Sequence, residues 1–235
     1  ALSRPEIAPK YELLGDPDDY DTNSGYGVFT QDYALDLIDA KGAWNYTTGN
    51  QDVVLDISDG DFFSDHEELE TEIEVINTTG TAPLYYFQHG TAVAATAGGA
   101  TNNQQGKASI GYDCKLSLTS MSYDRVLEMS SSGVRVINMS WASGCSNSPY
   151  VQAIVDEAYE NGAILVAAAG NGGTCGGPTN LVYPASHDKV ISVSSVGPSD
   201  NHERTIGDPL TTHQHNSSVD ITAPGYDVAL TVSAG

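Results

Sequence analysis

Short runs of apolar and β-branched residues recur along this chain, and segments with a helical pattern separate them. The runs are VVLDI (53–57), KLSLTSM (115–121), VRVINM (134–139), AILVAAA (163–169) and KVISVSSV (189–196). Strands that alternate with helices in this way are typical of βαβ units on a parallel sheet. AILVAAA is apolar on both of its faces, as expected of a strand that helices cover on either side. The pattern therefore predicts an α/β fold.

The clearest predicted helix begins after Ser148, whose hydroxyl can cap the first turn, with Pro149 at a position that suits its fixed φ. It should end near residues 161–162, where Asn and Gly follow one another. Its apolar residues share one face: Val151, Ile154, Val155 and Ala158. Because a strand follows at once, we expect a crossover helix packed on the sheet.

The balance of charges excludes several kinds of partner. The 235 residues, enough for one domain with a sizeable core, include 9 Lys and Arg against 31 Asp and Glu, a net charge of −22. This charge repels phosphate backbones and anionic lipids, so we expect no nucleic-acid partner. No apolar run is long enough to span a membrane, and ALSRPEIAPK (1–10) lacks the apolar stretch of a signal peptide. We therefore expect a soluble chain that has already been processed.

The chain contains three cysteines. Cys145 and Cys175 both lie in loops rich in Gly, Ser and Asn, and whether they form a disulfide is left open by the sequence. Cys114 precedes alternating apolar residues, which predicts a buried and unreactive thiol.

Three polar residues fall in the loops expected beyond the ends of strands and are candidates for chemistry. Asp59 comes after VVLDIS, His89 opens the small-residue segment HGTAVAATAGG, and Asn171 closes AILVAAAGN. Such groups gather beyond the carboxyl ends of parallel strands. Acyl transfer needs a carboxylate that orients an imidazole, a base and an oxyanion donor. Each residue alone is weak support, since a lone Asp is usually a turn residue and a lone His usually serves packing. Only the combination favours catalysis.

Seven segments occur in an order typical of one enzyme family. They are DLIDAKGAW (36–44), VVLDISDGDFFSDHEEL (53–69), HGTAVAATAGG (89–99), VINMSW (136–141), AAAGN (167–171), YPAS (183–186) and VDITAPG (219–225). This set resembles the subtilisin-like serine proteases, or subtilases, over nearly the whole chain. The resemblance implies a three-layer α/β/α fold with a mostly parallel central sheet, forming one peptidase domain over residues 1–235.

The resemblance also implies roles for the three candidates in a secreted serine endopeptidase. His89 would take the proton of a serine, Asp59 would orient and stabilise the imidazolium, and the Asn171 amide would donate to the oxyanion. Asp56 is an alternative carboxylate, but the step of seven residues to His66 favours Asp59.

The chain departs from the family pattern at several positions. Gly60 and Asp61 follow Asp59 where the family usually has Ser or Thr and then Gly, and Ala92 replaces a second His. The G-T-S-x-A block with the nucleophile is expected beyond Gly235, and Ser233 lies in no such motif. A C-terminal fragment or a further chain would then complete the domain. The alternative is a catalytically inactive subtilase-fold module that binds partners or serves a structural role.

By the same resemblance, a peptide or protein substrate would bind as an added strand between two walls of a pocket. The first wall comprises Ser140, Trp141, Ala142, Ser143 and Gly144, and the second comprises Ala168, Ala169 and Gly170. Trp141 either narrows this pocket or points into the core. Small residues predict a roomy apolar pocket, and neither wall has an acidic residue that would select a basic side chain.

Subtilases often hold structural calcium, and the resemblance places one site at Glu68, Asn102 and Asn103. The acidic segment 16–25 is a second candidate or simply a solvated turn. No cofactor is expected for the chemistry. No spacing suggests zinc, and His213 and His215 should be exposed. Glycosylation motifs occur at Asn45, Asn77, Asn138 and Asn216, of which Asn77 is the most plausible acceptor and Asn138 should lie in a strand.

Overall fold

A seven-stranded parallel sheet forms the centre of the molecule. The computed structural model describes residues 16–20, 25–26, 29–30, 32–60, 62–78, 89–205, 207–226 and 228. The strands are an antiparallel pair, β1 (Gly25–Tyr26) and β2 (Phe29–Thr30), and then β3 (Val54–Asp59), β4 (Ile73–Asn77), β5 (Lys115–Ser120), β6 (Val136–Met139), β7 (Ile164–Ala168), β8 (Val190–Val196) and β9 (Ile221–Pro224). The sheet order is β4-β5-β3-β6-β7-β8-β9. All five predicted runs form strands of this sheet.

Helices cover both faces of the sheet. They are α1 (Tyr33–Leu37), α2 (Ala40–Trp44), α3 (His89–Gly98), α4 (Tyr123–Ser132) and α5 (Pro149–Glu160). One core cluster joins α3 to β3 and β5 through Ile57, Ala94 and Leu118. A second joins α4 and α5 to the opposite face of β6 and β7, around Val155. The predicted three-layer α/β/α architecture is therefore confirmed.

The crossover helix α5 forms as the sequence predicts. The hydroxyl of Ser148 accepts a hydrogen bond from the Val151 N–H, and Pro149 occupies the first turn. The helix ends before Gly162, which adopts a φ of +93° that favours glycine. Val155 is fully buried in the core, and burial of one such side chain contributes about 2 kcal/mol.

Close packing at the start of α3 determines where His89 lies. The Gly90 N–H donates to the carbonyl of Gly60, the residue after β3, at 3.1 Å. A Cβ atom at Gly90 would come within 2.5 Å of that carbonyl oxygen, so only glycine fits without a shift. This contact brings the first residue of α3 beside the last residue of β3.

A disulfide joins Cys145 to Cys175 and resolves the pairing that the sequence left open. It connects the loop after β6 to the loop after β7, and closing a loop of 30 residues stabilises a protein by about 3 to 4 kcal/mol in the chain-entropy account. Cys114 is free and buried, and its burial raises the pKa of the thiol, as expected of an unreactive cysteine.

Several residues discussed above, Asp21, Asn23, Asp61 and Ser233 among them, lie outside the described residues. Asn138 lies in β6, as predicted. Among the described helices, none is both long and apolar enough to cross a membrane.

Candidate active site

Asp59 ends β3 at the carboxyl edge of the sheet, where β3 lies between β5 and β6. The chain crosses β3 as it passes from β5 to β6, and parallel α/β sheets bind ligands at such a switch point. The side chain of Asp59 is 3% exposed, and its Oδ1 accepts a hydrogen bond from the Gly60 N–H at 2.7 Å. A buried carboxylate in this position requires a donor or a cation as a partner.

His89 is that partner. Its Nδ1 lies 2.9 Å from both Oδ1 and Oδ2 of Asp59, while 54% of the side chain remains exposed. The hydrogen bond to Asp59 raises the pKa of His89, and partial burial opposes that effect. A carboxylate at Nδ1 favours the tautomer that carries its proton there, so Nε2 is left as the acceptor. The pair has the arrangement of an oriented general base.

The alternative carboxylate, Asp56, faces the other side of the sheet. It is fully buried and accepts hydrogen bonds from the Ser117 hydroxyl at 2.8 Å and the Thr119 hydroxyl at 3.0 Å. The Ser117 hydroxyl also lies 3.5 Å from the sulfur of Met129 on α4. Burial raises the pKa of Asp56 to about 6. Of the two carboxylates, Asp59 is therefore the one that contacts the imidazole.

Asn171 lies in the loop after β7, on the same cavity as His89. Its backbone N–H donates to the Thr174 hydroxyl at 3.1 Å, and its carbonyl accepts from the Gly173 N–H at 2.8 Å. The residue is exposed. An amide side chain at this edge of a cavity can donate to an oxyanion.

The two predicted substrate walls line a cavity of about 1090 Å³ on the α3 face of the sheet. The structure brings most of their residues to it, namely Ser140, Trp141, Ala142, Ala168, Ala169 and Gly170. Ser143 and Gly144 pair instead with Tyr183, through the Ser143 N–H at 2.7 Å and the Gly144 carbonyl at 3.0 Å. The Ser143 N–H and the Gly144 carbonyl are therefore already paired within the chain.

Trp141 serves both the pocket and the core. Its indole N–H donates to the Ser58 hydroxyl at 3.2 Å, and its ring meets that of Tyr123 edge-to-face with centroids 5.1 Å apart. The side chain packs against the second core cluster and also lines the cavity. The two predicted roles of this residue are thus compatible.

The predicted calcium residues meet a further acidic residue, Asp19. Asp19 is 7% exposed and Glu68 is 1% exposed, and each has one carboxylate oxygen without a hydrogen-bond partner, Oδ1 and Oε2 respectively. The Asn103 amide donates to Glu68 at 3.2 Å, and the Asn102 N–H donates to Asp19 at 2.7 Å. Asp19, which belongs to the acidic segment 16–25, therefore lies in the same region as Glu68, whereas the sequence treats the segment and the Glu68 site separately.

Burial raises the pKa of Glu68 to about 7, and the nearby charge of Asp19 adds to this shift; burial also raises the pKa of Asp19. Within the described ranges, no group of three or more His, Cys, Asp and Glu side chains is placed to hold a metal ion. The two carboxylates, amide oxygens and backbone carbonyls are nonetheless the donors that calcium prefers. A Cβ at Gly106 would lie 2.5 Å from the Glu68 carboxyl carbon, so this loop wraps closely around the acid.

Sequence reasoning missed two polar groups near the cavity. Gln214 is fully buried, and no local pattern singles it out. His213 was expected to be exposed, but it is half-buried, and its Nδ1 bonds to the hydroxyl of Ser195 at the end of β8. The prediction for His213 is wrong because Tyr226 packs on its ring, with centroids 4.6 Å apart. His215 is exposed, as expected.

The fold is thus that of a parallel α/β/α protein with an Asp–His pair at its switch point and an Asn on the same cavity. Comparison with known proteins is more specific. The model of the "Subtilase family" matches residues 16–235, and the chain belongs to this family.

Individual proteins with similar sequences agree with this family assignment. The chain is 30% identical to thermitase of Thermoactinomyces vulgaris over 226 residues, which covers 88% of this chain and 74% of that protein. It is 29% identical to the halolysin-like extracellular serine protease Nep of Natrialba magadii over 252 residues, covering 95% and 42%. It is 27% identical to the thermophilic serine proteinase of Bacillus sp. (strain AK1), covering 81% and 48%. The chain thus spans less than half of the last two relatives.

Solved structures share the fold. The psychrophilic subtilisin-like protease Apa1 from Pseudoalteromonas sp. AS-11 superposes with a TM-score of 0.63 at 23% identity, over 82% of this chain and 45% of that one. MycP1 without its N-terminal propeptide gives a TM-score of 0.66 at 22% identity, over 82% and 69%. Identities this low support the fold alone.

Proposed function

We propose that this chain is the larger part of a secreted serine endopeptidase domain, with Asp59 and His89 as two members of a triad whose serine lies beyond residue 235. The observation that carries the proposal is the contact of His89 Nδ1, at 2.9 Å, with both oxygens of a carboxylate that is 3% exposed. Family membership supports serine-protease chemistry, and the extracellular relative Nep supports secretion.

In this mechanism, His89 Nε2 accepts the proton of the serine hydroxyl as that oxygen attacks the substrate carbonyl. Asp59 holds the imidazole tautomer and stabilises the imidazolium. The proton then passes from Nε2 to the leaving amine, and water regenerates the enzyme by the same route. Asn171 donates to the oxyanion of the tetrahedral intermediate, a contribution of about 3 to 4 kcal/mol to the barrier.

The cavity beside α3 is suited to the segment that carries the serine. Its walls include apolar side chains from the sheet and α3, such as Leu55, Val93, Val136, Val166 and Val193, and His89 lies on it. A segment with an apolar face would bury these side chains and bring a hydroxyl to the imidazole. We propose that a C-terminal continuation of the chain, a cleaved fragment or a further chain supplies it.

An extended peptide with apolar side chains is the substrate class that the walls favour. Ala142, Ala168 and Gly170 leave space, and Trp141 offers an aromatic surface. The substrate backbone pairs with the stretch after β6, which gives affinity without strong dependence on sequence.

Calcium binding by the region of Asp19 and Glu68 is a separate part of the proposal. The two unpartnered, buried carboxylate oxygens fit a hard cation, backbone carbonyls would complete the shell, and Asn102 and Asn103 hold the two carboxylates in place through their hydrogen bonds. The ion would stabilise the fold and take no part in peptide cleavage.

The proposed function is tested with a fluorophosphonate probe, which labels only an activated serine. We expect the full-length protein to be labelled and to cleave an unfolded protein substrate, and the variant His89→Ala to lose labelling by at least about a thousandfold. His215→Ala, which removes an exposed imidazole elsewhere, is the matched control and should react normally. A folded full-length protein that neither reacts nor cleaves would refute the enzyme and leave a binding module.

A further inference from the structure

The loop that carries Asn171 has an unusual backbone. Gly170 has a φ of +122° and Gly172 has a φ of +76°, so Asn171 lies between two residues in conformations that side chains disfavour. A Cβ at Gly172 would lie 2.2 Å from the Thr212 carbonyl oxygen, so this loop closely approaches the segment 212–214. Such a loop needs specific contacts to hold one conformation.

One buried side chain supplies several of these contacts. The Gln214 Oε1 accepts from the Gly172 N–H at 2.6 Å, and its Nε2 donates to the carbonyls of Thr174 at 2.8 Å and Gly177 at 3.3 Å. The Gln214 backbone N–H donates to the Gly170 carbonyl at 3.3 Å. These hydrogen bonds reach residues both before and after Asn171 in the sequence, and Gln214 is 0% exposed.

The position of Gln214 is itself fixed by the sheet. Its carbonyl accepts from the hydroxyl of Ser194 in β8 at 2.5 Å. The preceding residue, His213, bonds to the hydroxyl of Ser195, and its N–H donates to the Tyr226 hydroxyl at 2.9 Å. The following residue, His215, donates its N–H to the Pro178 carbonyl at 2.8 Å. A continuous set of contacts therefore connects β8 to the loop of Asn171.

We propose that Gln214 is a positioning residue that holds the Asn171 amide where the oxyanion develops, an inference that rests on the proposed function. The loop is exposed at Asn171 and would otherwise sample several conformations. Oxyanion donors act only when they are preorganised at hydrogen-bond distance from the developing charge, and a shift of about 1 Å can cost a hundredfold in rate. Gln214 is not among the described residues that line the cavity, so any effect it has on the reaction acts through Asn171.

A purely structural role is the competing explanation, because a buried glutamine with satisfied bonds also stabilises the fold. Gln152 provides a matched control of the same residue type. Its Oε1 contacts His187 Nδ1 at 3.0 Å and the Asp188 N–H at 3.1 Å, and its Nε2 donates to Asp156 and to the Asp188 carbonyl. It holds a loop away from Asn171 with a similar number of bonds.

The experiment compares Gln214→Met and Gln152→Met in the full-length protein, since methionine keeps the length of the side chain without its hydrogen bonds. We expect Gln214→Met to lower kcat for a chromogenic peptide by about 10- to 100-fold with KM within twofold. Gln152→Met should leave kcat within twofold. In an Asn171→Ala background, Gln214→Met should lower kcat by less than a further twofold, because the group it positions is gone.

Hydrogen exchange supplies a second readout that does not depend on activity. The amides of residues 170–177 should exchange at least about tenfold faster in Gln214→Met than in the parent, and at the parent rate in Gln152→Met. If Gln214→Met does not fold, the milder Gln214→Asn replaces it and should show a smaller loss of kcat with the same dependence on Asn171.

Three results would overturn the inference: kcat unchanged in folded Gln214→Met, full additivity with Asn171→Ala, or unaltered exchange of the loop. A parent protein that is folded but inactive refutes the proposed function instead. In that case accelerated exchange in Gln214→Met would still show that this side chain orders the loop, while the catalytic consequence would be refuted together with the proposed function.

Discussion

Two regions of this molecule bury carboxylates, and they differ in what compensates the charge. At the carboxyl end of β3, Asp59 is paired with an imidazole of the same chain at 2.9 Å. In the region of Asp19 and Glu68, burial raises the pKa of both carboxylates, and each retains an oxygen without a hydrogen-bond partner. The carboxylate of the first region is compensated by a group of the same chain, whereas each carboxylate of the second region keeps one uncompensated oxygen.

The contrast indicates how burial can serve two purposes. Burial of a charge is costly unless a partner offsets it. Where the partner is a histidine, the pairing alters the chemistry of the imidazole. Where the partner is a dissolved cation, the same cost makes folding depend on that cation.

Replacement of the carboxylate in the first region should have the largest effect. We expect Asp59→Asn to lower turnover of the full-length protein by about 10⁴-fold, since the imidazole loses its orientation and its stabilising charge. Steady-state kinetics measure this effect. Asp56→Asn, three residues earlier on the same strand but facing α4, is the control and should retain turnover within a few-fold. Comparable losses in both variants would contradict the assignment of Asp59.

The same variant tests the pKa of His89. The hydrogen bond to Asp59 raises this pKa above the ordinary 6.5, so the protonated imidazole persists to higher pH and the base becomes neutral only above that value. Activity should therefore rise with pH through an inflection above 6.5. In Asp59→Asn the pKa of His89, followed by NMR titration, should fall; an unchanged value would contradict the pairing.

Calcium should have the second largest effect, and it should act on the region of Glu68 alone. We expect a metal-free protein to gain about 4 kcal/mol of unfolding free energy at a calcium concentration a thousandfold above Kd. Glu68→Gln should abolish this increment, and Glu128→Gln on the surface should preserve it. Urea denaturation with and without calcium measures both. Full retention of the increment in Glu68→Gln would show that calcium binds elsewhere or not at all.

Asp56 offers a third, intermediate case, a buried carboxylate that has only hydroxyl partners. Because burial raises its folded pKa from 3.8 to about 6, the folded state binds the proton more tightly than the unfolded state. The resulting penalty is absent below the unfolded pKa, grows as pH rises towards 6 and is complete above it, at up to about 3 kcal/mol. The free energy of unfolding of Asp56→Asn should therefore rise relative to that of the parent between pH 5 and pH 8. Urea denaturation at a series of pH values measures this difference. A pH-independent difference would contradict this account.

An exposed carboxylate should have the smallest effect. Glu128 pairs with Arg125 on α4, but the two side chains are 51% and 36% exposed. Exposed pairs of this kind contribute little, so Glu128→Gln should change the free energy of unfolding by less than about 0.5 kcal/mol. Thermal unfolding at equal salt concentration checks this value. A loss above 1 kcal/mol would contradict the expectation that an exposed carboxylate contributes less to stability than the buried ones.

The sequence predicted the fold and the Asp–His pair for the same reason. Strand and helix periodicity is local, and parallel strands bring their carboxyl ends to one edge, so residues after VVLDIS and at the start of HGTAVAATAGG could be expected to meet. The step of seven residues to His66 also favoured Asp59 over Asp56. The structure agrees with this choice, because Asp59 contacts His89, whereas Asp56 contacts Ser117 and Thr119 on β5.

Other features depended on distant parts of the chain. Asp19 meets Asn102 across 83 residues, and Gln214 reaches Gly172 across 42. No spacing pattern connects such residues, and a lone Gln or Asp in a polar loop has no distinctive signal. The exposure of His213 was misjudged for the same reason, because Tyr226 and Ser195 cover it from other segments.

By itself, then, the sequence determined the layered α/β architecture, the family resemblance and the residues at the strand ends, because these depend on periodicity and on short motifs. The tertiary structure alone decided the partner of each buried group: the Cys145–Cys175 bridge, the joining of Asp19 to the Glu68 region and the placement of Gln214 beneath the Asn171 loop. The physical reason is that burial and hydrogen bonding are satisfied in three dimensions, between segments whose separation along the chain carries no information about their contact.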